Sequence, residues 1–134
     1  MGHETPIRVR FYELDPYNHV NHATYVQYFE VGRVDFLGKI GYPMDELAEQ
    51  GLQFVVTEIT TKFLKSAGPE DDLVVVTEVA ELRRASSVWS QQIILGDDVI
   101  CTQRIKAAIT DLDSRPVRVP KHLQEAMQAG PPGL

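Results

Sequence analysis

The sequence has a single cysteine, Cys101. A lone thiol closes no disulfide within the chain, which suits a reducing compartment and makes the cytoplasm the expected location. Long apolar runs are also missing. None approaches the ~18 residues of a membrane span, and the N-terminal MGHETP has neither the charged nor the apolar region of a signal peptide. Basic residues are the minority: 13 Lys and Arg stand against 19 Asp and Glu, a formal net charge of −6. That balance argues against non-specific nucleic-acid binding. There is no internal repeat, linker or low-complexity block. No G-x-S-x-G elbow occurs, and Ser86, Ser87 and Ser90 lack partners spaced for a Ser-His-Asp constellation.

What is present is an ordinary globular composition, 43% hydrophobic and 24% charged over 134 residues. That length predicts one domain over 1–134 with a core large enough to need no staples. The Pro- and Gly-rich end, about 129–134, is expected to fray. From Pro6 to Glu13 the chain alternates, with Ile7, Val9 and Phe11 on one side, which predicts a half-buried strand. Leu14 to Asn21 carries Asp, Pro and Asn and reads as a loop. From His22 the period changes: Tyr25, Phe29, Gly32, Phe36 and Ile40 mark a helix of about four turns, apolar over more than one stripe and so deeply buried. Gly32 inside it predicts close approach by another backbone, and Gly38 and Gly41 end it. Pro43 to Gln50 reads as a short second helix.

Beyond Gly51 the sequence turns β-branched. Strands are predicted at Phe54–Leu64, Leu73–Leu82, Ser87–Leu95 and Val99–Ile109, followed by a short helix from Pro120. The turns between them make most of the sheet antiparallel. One long helix facing about five strands is an α+β solution, the hotdog fold: a five-stranded antiparallel sheet wrapped around one central helix. Cys101 falls in a strand pattern and reads as a small core residue.

The stretch "ELDPYNHVNHATYVQYFE" carries the chemistry. A helix start presents unpaired N–H groups and partial positive charge. Asp15 precedes His22 by seven residues, so the loop can fold its carboxylate across that start. A carbonyl oxygen lying on the N–H groups would be polarised as in an oxyanion hole. Asp15 could then attack the carbonyl carbon or activate a water that does. Asp before Pro is equally a common turn feature, and Asp15, His19 and His22 have a spacing that could hold zinc, without a supporting acid cluster.

"LDPYNHVNHATYVQYFE" resembles thioesterases of the 4-hydroxybenzoyl-CoA thioesterase type, which have the hotdog fold. Asp15, Pro16, His19, Val20, Asn21 and Tyr25 fall in register with their pattern. The likeness is dense over residues 7–37 and architectural over 52–111. It implies that Asp15 is the catalytic carboxylate, that the His22 backbone N–H polarises the thioester carbonyl, and that Tyr25 lines the site. The run "HVN" also resembles long-chain acyl-CoA and acyl-ACP thioesterases, and His19 matches a histidine of that run. Asn18 stands where many relatives have Gly, and Asn is the next most tolerant residue of the left-handed region.

The resemblance implies hydrolysis of an acyl-CoA or acyl carrier protein thioester, with coenzyme A as part of the substrate and no metal or prosthetic group. Lys62, Lys65, Arg83 and Arg84 are the foremost candidates for the CoA phosphates, with Arg104 and Lys106 behind them. Glu58, an acid among apolar residues, fits a solvated strand face or a role facing a neighbouring subunit. A homodimer or homotetramer is expected, because a single hotdog unit leaves a sheet edge open. A hotdog dehydratase or hydratase, and a non-catalytic acyl-thioester-binding protein, are the alternatives.

Overall fold

The computed structural model describes residues 2–132, so the last two residues of the expected frayed tail lie outside the described range. The elements run β1 (His3–Arg8), a 3-10 turn (Phe11–Glu13), α1 (His22–Lys39), α2 (Met44–Glu49), β2 (Gln53–Phe63), β3 (Asp72–Leu82), β4 (Ser86–Leu95), β5 (Asp98–Thr110) and α3 (Lys121–Ala129). The strands form one sheet in the order β1-β3-β4-β5-β2, and every neighbouring pair is antiparallel. With α1 laid across one face, this is the expected hotdog architecture.

Two elements differ from expectation. The first strand begins earlier and ends at Arg8. The Arg10 N–H donates to Glu13 Oε1 at 2.8 Å and curls the next residues into a turn. Phe11 therefore leaves the alternation and is 85% exposed. Helix α1 spans the expected stretch, at 18 residues, but buries one face rather than its whole surface. Thr24, Tyr25, Tyr28, Phe29, Gly32, Phe36 and Leu37 are buried, whereas Val31 and Val34 stay exposed. Gly32 does admit a close neighbour, but it is a set of side chains and not a backbone. A Cβ there would sit 2.7 Å from both Thr77 Oγ1 and Val75 Cγ1.

Those side chains belong to a polar row that crosses the sheet beneath α1. Register partners run from His3 to Thr77, Gln91, Gln103 and Thr61, one residue from each strand. The Gln91 amide donates to Phe29 O at 2.8 Å and to Thr77 Oγ1 at 3.0 Å. The Gln103 amide donates to Thr61 Oγ1 at 3.0 Å. Arg33 reaches down from α1 and donates through Nη1 to both glutamine oxygens, at 2.8 and 3.0 Å. At the β1 end, His3 Nε2 lies 2.7 Å from Asp35 Oδ2, and the Thr5 hydroxyl donates to the same oxygen. Buried amides must be bonded or they cost stability, and this row satisfies them together.

The row separates two apolar clusters. One holds Val20, Tyr25, Phe29, Val75, Ile93 and Cys101 under the start of α1. The other holds Phe36, Leu47, Trp89, Ile105, Leu123 and Met127 under its end, with α2 and α3. Burial pushes the Cys101 thiol up to about 11, consistent with a small core residue.

Candidate active site

Asp15 is held by its own loop. Its Oδ1 accepts the Tyr17 and His19 N–H groups at 2.9 and 3.1 Å. The Asp15 N–H donates to His19 O, and the Asn18 N–H to Asp15 O. This tight turn needs a positive φ, and Asn18 supplies it at 64°. So the carboxylate does serve the turn, with one oxygen. Oδ2 has no hydrogen-bond partner among the described residues.

The helix start is equally defined. Asn21 caps α1, its Oδ1 accepting the Ala23 N–H at 2.9 Å, while its carbonyl accepts the Thr24 N–H. The Asn21 N–H itself donates to Glu13 O. The His22 N–H, at the very start of that turn, has no acceptor among the described residues. Groups of this kind point out along the helix axis, where the positive end of the macrodipole lies.

Asp15, His19, His22 and Tyr25 all line one open pocket of about 250 Å³, together with Val20, Phe63, Leu64, Lys65 and Ser66. The fold thus gathers the four residues singled out in the loop and first helical turn. Tyr25 enters as a strut. It is 4% exposed, its hydroxyl accepts the Ala67 N–H at 2.9 Å, and burial raises its pKa. The Val20 N–H donates to Ala67 O, so loop 64–67 is tied to both the Asp15 loop and α1. Tyr28 braces the other side: its hydroxyl donates to Glu13 Oε1 at 2.7 Å, and burial, then Glu13, raises its pKa. The His22 and Phe63 rings meet edge to face at 6.4 Å. Asp15, His19 and His22 are not gathered as a metal-ligating group among the described residues.

The basic candidates divide. Lys65 lines the pocket and pairs with Asp98 at 3.1 Å. Lys62 lies three positions earlier, on β2, exposed, beside Thr102. Arg83 and Arg84 sit in the β3–β4 turn, at the opposite end of the sheet of the same chain. There Arg83 makes two bonds to Glu81, and Arg84 O accepts the Val119 N–H. Arg104 is paired with Thr60 in register and Lys106 with Glu58, which places Glu58 on a charged, solvated face. Sequence reasoning missed Phe63, Leu64 and Ser66, because the β2 end meets α1 only through the fold. It also missed Arg33 with Gln91 and Gln103. Their signal was a glutamine in the apolar register of two adjacent strands.

The family model described as the thioesterase-like superfamily matches residues 9–127. The chain belongs to the thioesterase-like superfamily. Thioester hydrolysis is its reaction class. It is 31% identical over 127 residues to "Acyl-CoA thioesterase YbgC" of Haemophilus influenzae, covering 93% of each chain. It is 33% identical over 124 residues to "Acyl-acyl carrier protein thioesterase ATL3, chloroplastic" of Arabidopsis thaliana. That alignment takes in 91% of this chain and 65% of the plant protein's length. Among solved structures, a probable thioesterase from Bartonella henselae superposes with a TM-score of 0.86 at 29% identity, covering 90% of this chain and 100% of that one. This thioesterase therefore matches relatives over nearly its whole length, and the matched span contains the Asp15 loop and the α1 start. No helix among the described residues is long and apolar enough to cross a membrane.

Proposed function

We propose that the protein hydrolyses acyl-CoA thioesters in the cytoplasm, with Asp15 as the reacting carboxylate and the His22 N–H as the oxyanion donor. The observation that carries the reading is the pairing of two uncommitted groups in one pocket. They are Asp15 Oδ2 and the first-turn N–H of α1. A thioester carbonyl whose oxygen rests on that N–H becomes more electrophilic, and negative charge developing there is stabilised by the helix start. Asp15, fixed by two backbone donors through Oδ1, presents Oδ2 to the carbonyl carbon or to a water beside it. In the general-base route Asp15 takes a proton from the water as the water oxygen bonds to the carbonyl carbon, the C–S bond breaks, and that proton passes to the leaving thiolate; in the nucleophilic route the C–S bond breaks as Asp15 forms an acyl anhydride, and a water then cleaves the anhydride, giving the carboxylic acid and restoring Asp15. Lys65 at the pocket rim suits a substrate phosphate. No metal or prosthetic group enters this scheme.

Asp15→Asn tests it. Asparagine keeps an Oδ1 acceptor for Tyr17 and His19, so the turn survives while the charge is lost. Thiol release from acyl-CoA should fall by about 10²- to 10⁴-fold with an unchanged circular dichroism spectrum. Wild-type turnover by the Asn variant would refute the mechanism.

The reading includes a second copy of the chain. β2 is an 11-residue edge strand with its outer ladder unpaired and Val55, Val56, Ile59 and Phe63 exposed. An edge so long and apolar is an aggregation hazard unless it is covered. Antiparallel β2–β2 pairing would continue the sheet and place two pockets beside the shared edge. Light scattering at micromolar concentration should give at least twice the chain mass. A monomer there would remove this part of the proposal.

A further inference from the structure

Two pockets lie beside β2, one toward each end of the strand. Phe63 packs on His22 and Tyr25 at one end. At the other, Phe54 and Val56 line a small cavity of about 80 Å³ with Val34, Leu37, Trp89 and Ile105. The polar row stands between the two. On β2 the order is Phe63, Thr61, Val56, and on β5 it is Cys101, Gln103, Ile105. Both strands thus place the row between the Asp15 pocket and the apolar cavity. Its charged member is Arg33, which also lines the cavity.

Arg33 is an unusual group to find in such a wall. Burial pushes its guanidinium down to about 10, and Glu30, one turn away, opposes that shift without forming an ion pair. Its recorded bonds both leave from Nη1 and end on neutral amide oxygens. A guanidinium has five N–H donors, so Nε and Nη2 retain donors without an acceptor among the described residues.

We propose that Arg33 is a specificity-determining residue that selects acyl groups carrying an oxygen acceptor in mid-chain. The inference rests on the reading that the thioester carbonyl sits at Asp15 and His22. An acyl chain leaving that point toward the cavity must cross the row. A plain alkyl chain would strip water from the free guanidinium donors and return nothing. A hydroxyl or carbonyl oxygen at that depth restores a charge-assisted hydrogen bond. Thr61 lies two residues from Phe63, about 7 Å along an antiparallel strand. The favoured oxygen therefore stands several bonds beyond the thioester, not next to it.

The experiment measures thiol release from octanoyl-CoA and from its derivatives hydroxylated at the third, fifth or eighth carbon. The wild-type enzyme should prefer the fifth-carbon isomer over octanoyl-CoA by about tenfold in kcat/KM. Arg33→Met should erase that preference while keeping or raising turnover of octanoyl-CoA. Arg33→Gln, which still offers an N–H to Gln91 and Gln103 and so guards against a folding failure, should erase it too. Equal kcat/KM for all four substrates in the wild type overturns the inference. So does a preference that survives both variants, or a uniform loss on every substrate, which would assign Arg33 to structure alone. Absence of thiol release from every substrate by the wild type would overturn the site reading along with it.

Discussion

The two halves of the core are built by different means. Under the start of α1, position is set by hydrogen bonds between loops. Tyr25 holds Ala67, Ala67 holds Val20, Tyr28 holds Glu13, and Glu13 holds Asn21. Under the end of α1, position is set by apolar packing, with Phe36, Phe54 and Trp89 in edge-to-face contact and Leu123 and Met127 closing the far side. Hydrogen bonds contribute modestly to net stability but are directional. Apolar burial contributes more and specifies direction less. The half that holds Asp15 beside the start of α1 uses the directional interaction. The half that has only to hold the sheet to its helices uses the other.

The largest test of this contrast lies in the apolar half. Leu123 is fully buried, and Leu123→Ala opens a cavity between α3 and the sheet. Its unfolding free energy should fall by about 2–5 kcal/mol, measured by urea denaturation. Thiol release by the molecules still folded should stay at the wild-type rate, because no bond of the Asp15 loop passes through α3. A variant that loses turnover in step with stability would show the two halves to be one unit.

The sequence announced the elements more clearly than their meeting points. The change of period at His22, preceded by Asn21, located the start of α1 to the residue. The ends of β2 to β5 came within about a residue, since Gly96 and the other turn residues bound them, whereas β1 was expected too late in the chain. Phe11 misled, because alternation cannot register that a side chain three residues on will bend the backbone out of the sheet. Arg83 and Arg84 looked like a phosphate site by clustering alone, and clustering does not say which end of a sheet a turn occupies. The polar row was half visible. Gln91 and Gln103 interrupt apolar registers, but that they stand opposite each other depends on the β4–β5 turn and the bulge at Ile93. The Asp15 pocket was legible in its loop and first helical turn, and illegible in Phe63 and loop 64–67, which arrive from 40 residues away.

A smaller effect bears on the seam between the halves. In an exposed helix, Gly→Ala stabilises by about 1 kcal/mol. At Gly32 the added methyl would meet Thr77 Oγ1 and Val75 Cγ1 at 2.7 Å and Gln91 Nε2 at 3.1 Å. Thr77 and Val75 are short, branched side chains on a central part of the sheet, both fully buried, so neither can swing aside without moving its strand. Overpacking of this kind costs about 1–3 kcal/mol, which outweighs the helix gain. Gly32→Ala should therefore lower stability by up to roughly 2 kcal/mol, the difference of those two terms. It should also disturb the Arg33 bond to Gln91, since the added methyl would press on the Gln91 side chain. A denaturation midpoint at or above that of the wild type would mean that α1 slides easily over the row. The partition between the hydrogen-bonded and the apolar halves would then be looser than these distances require.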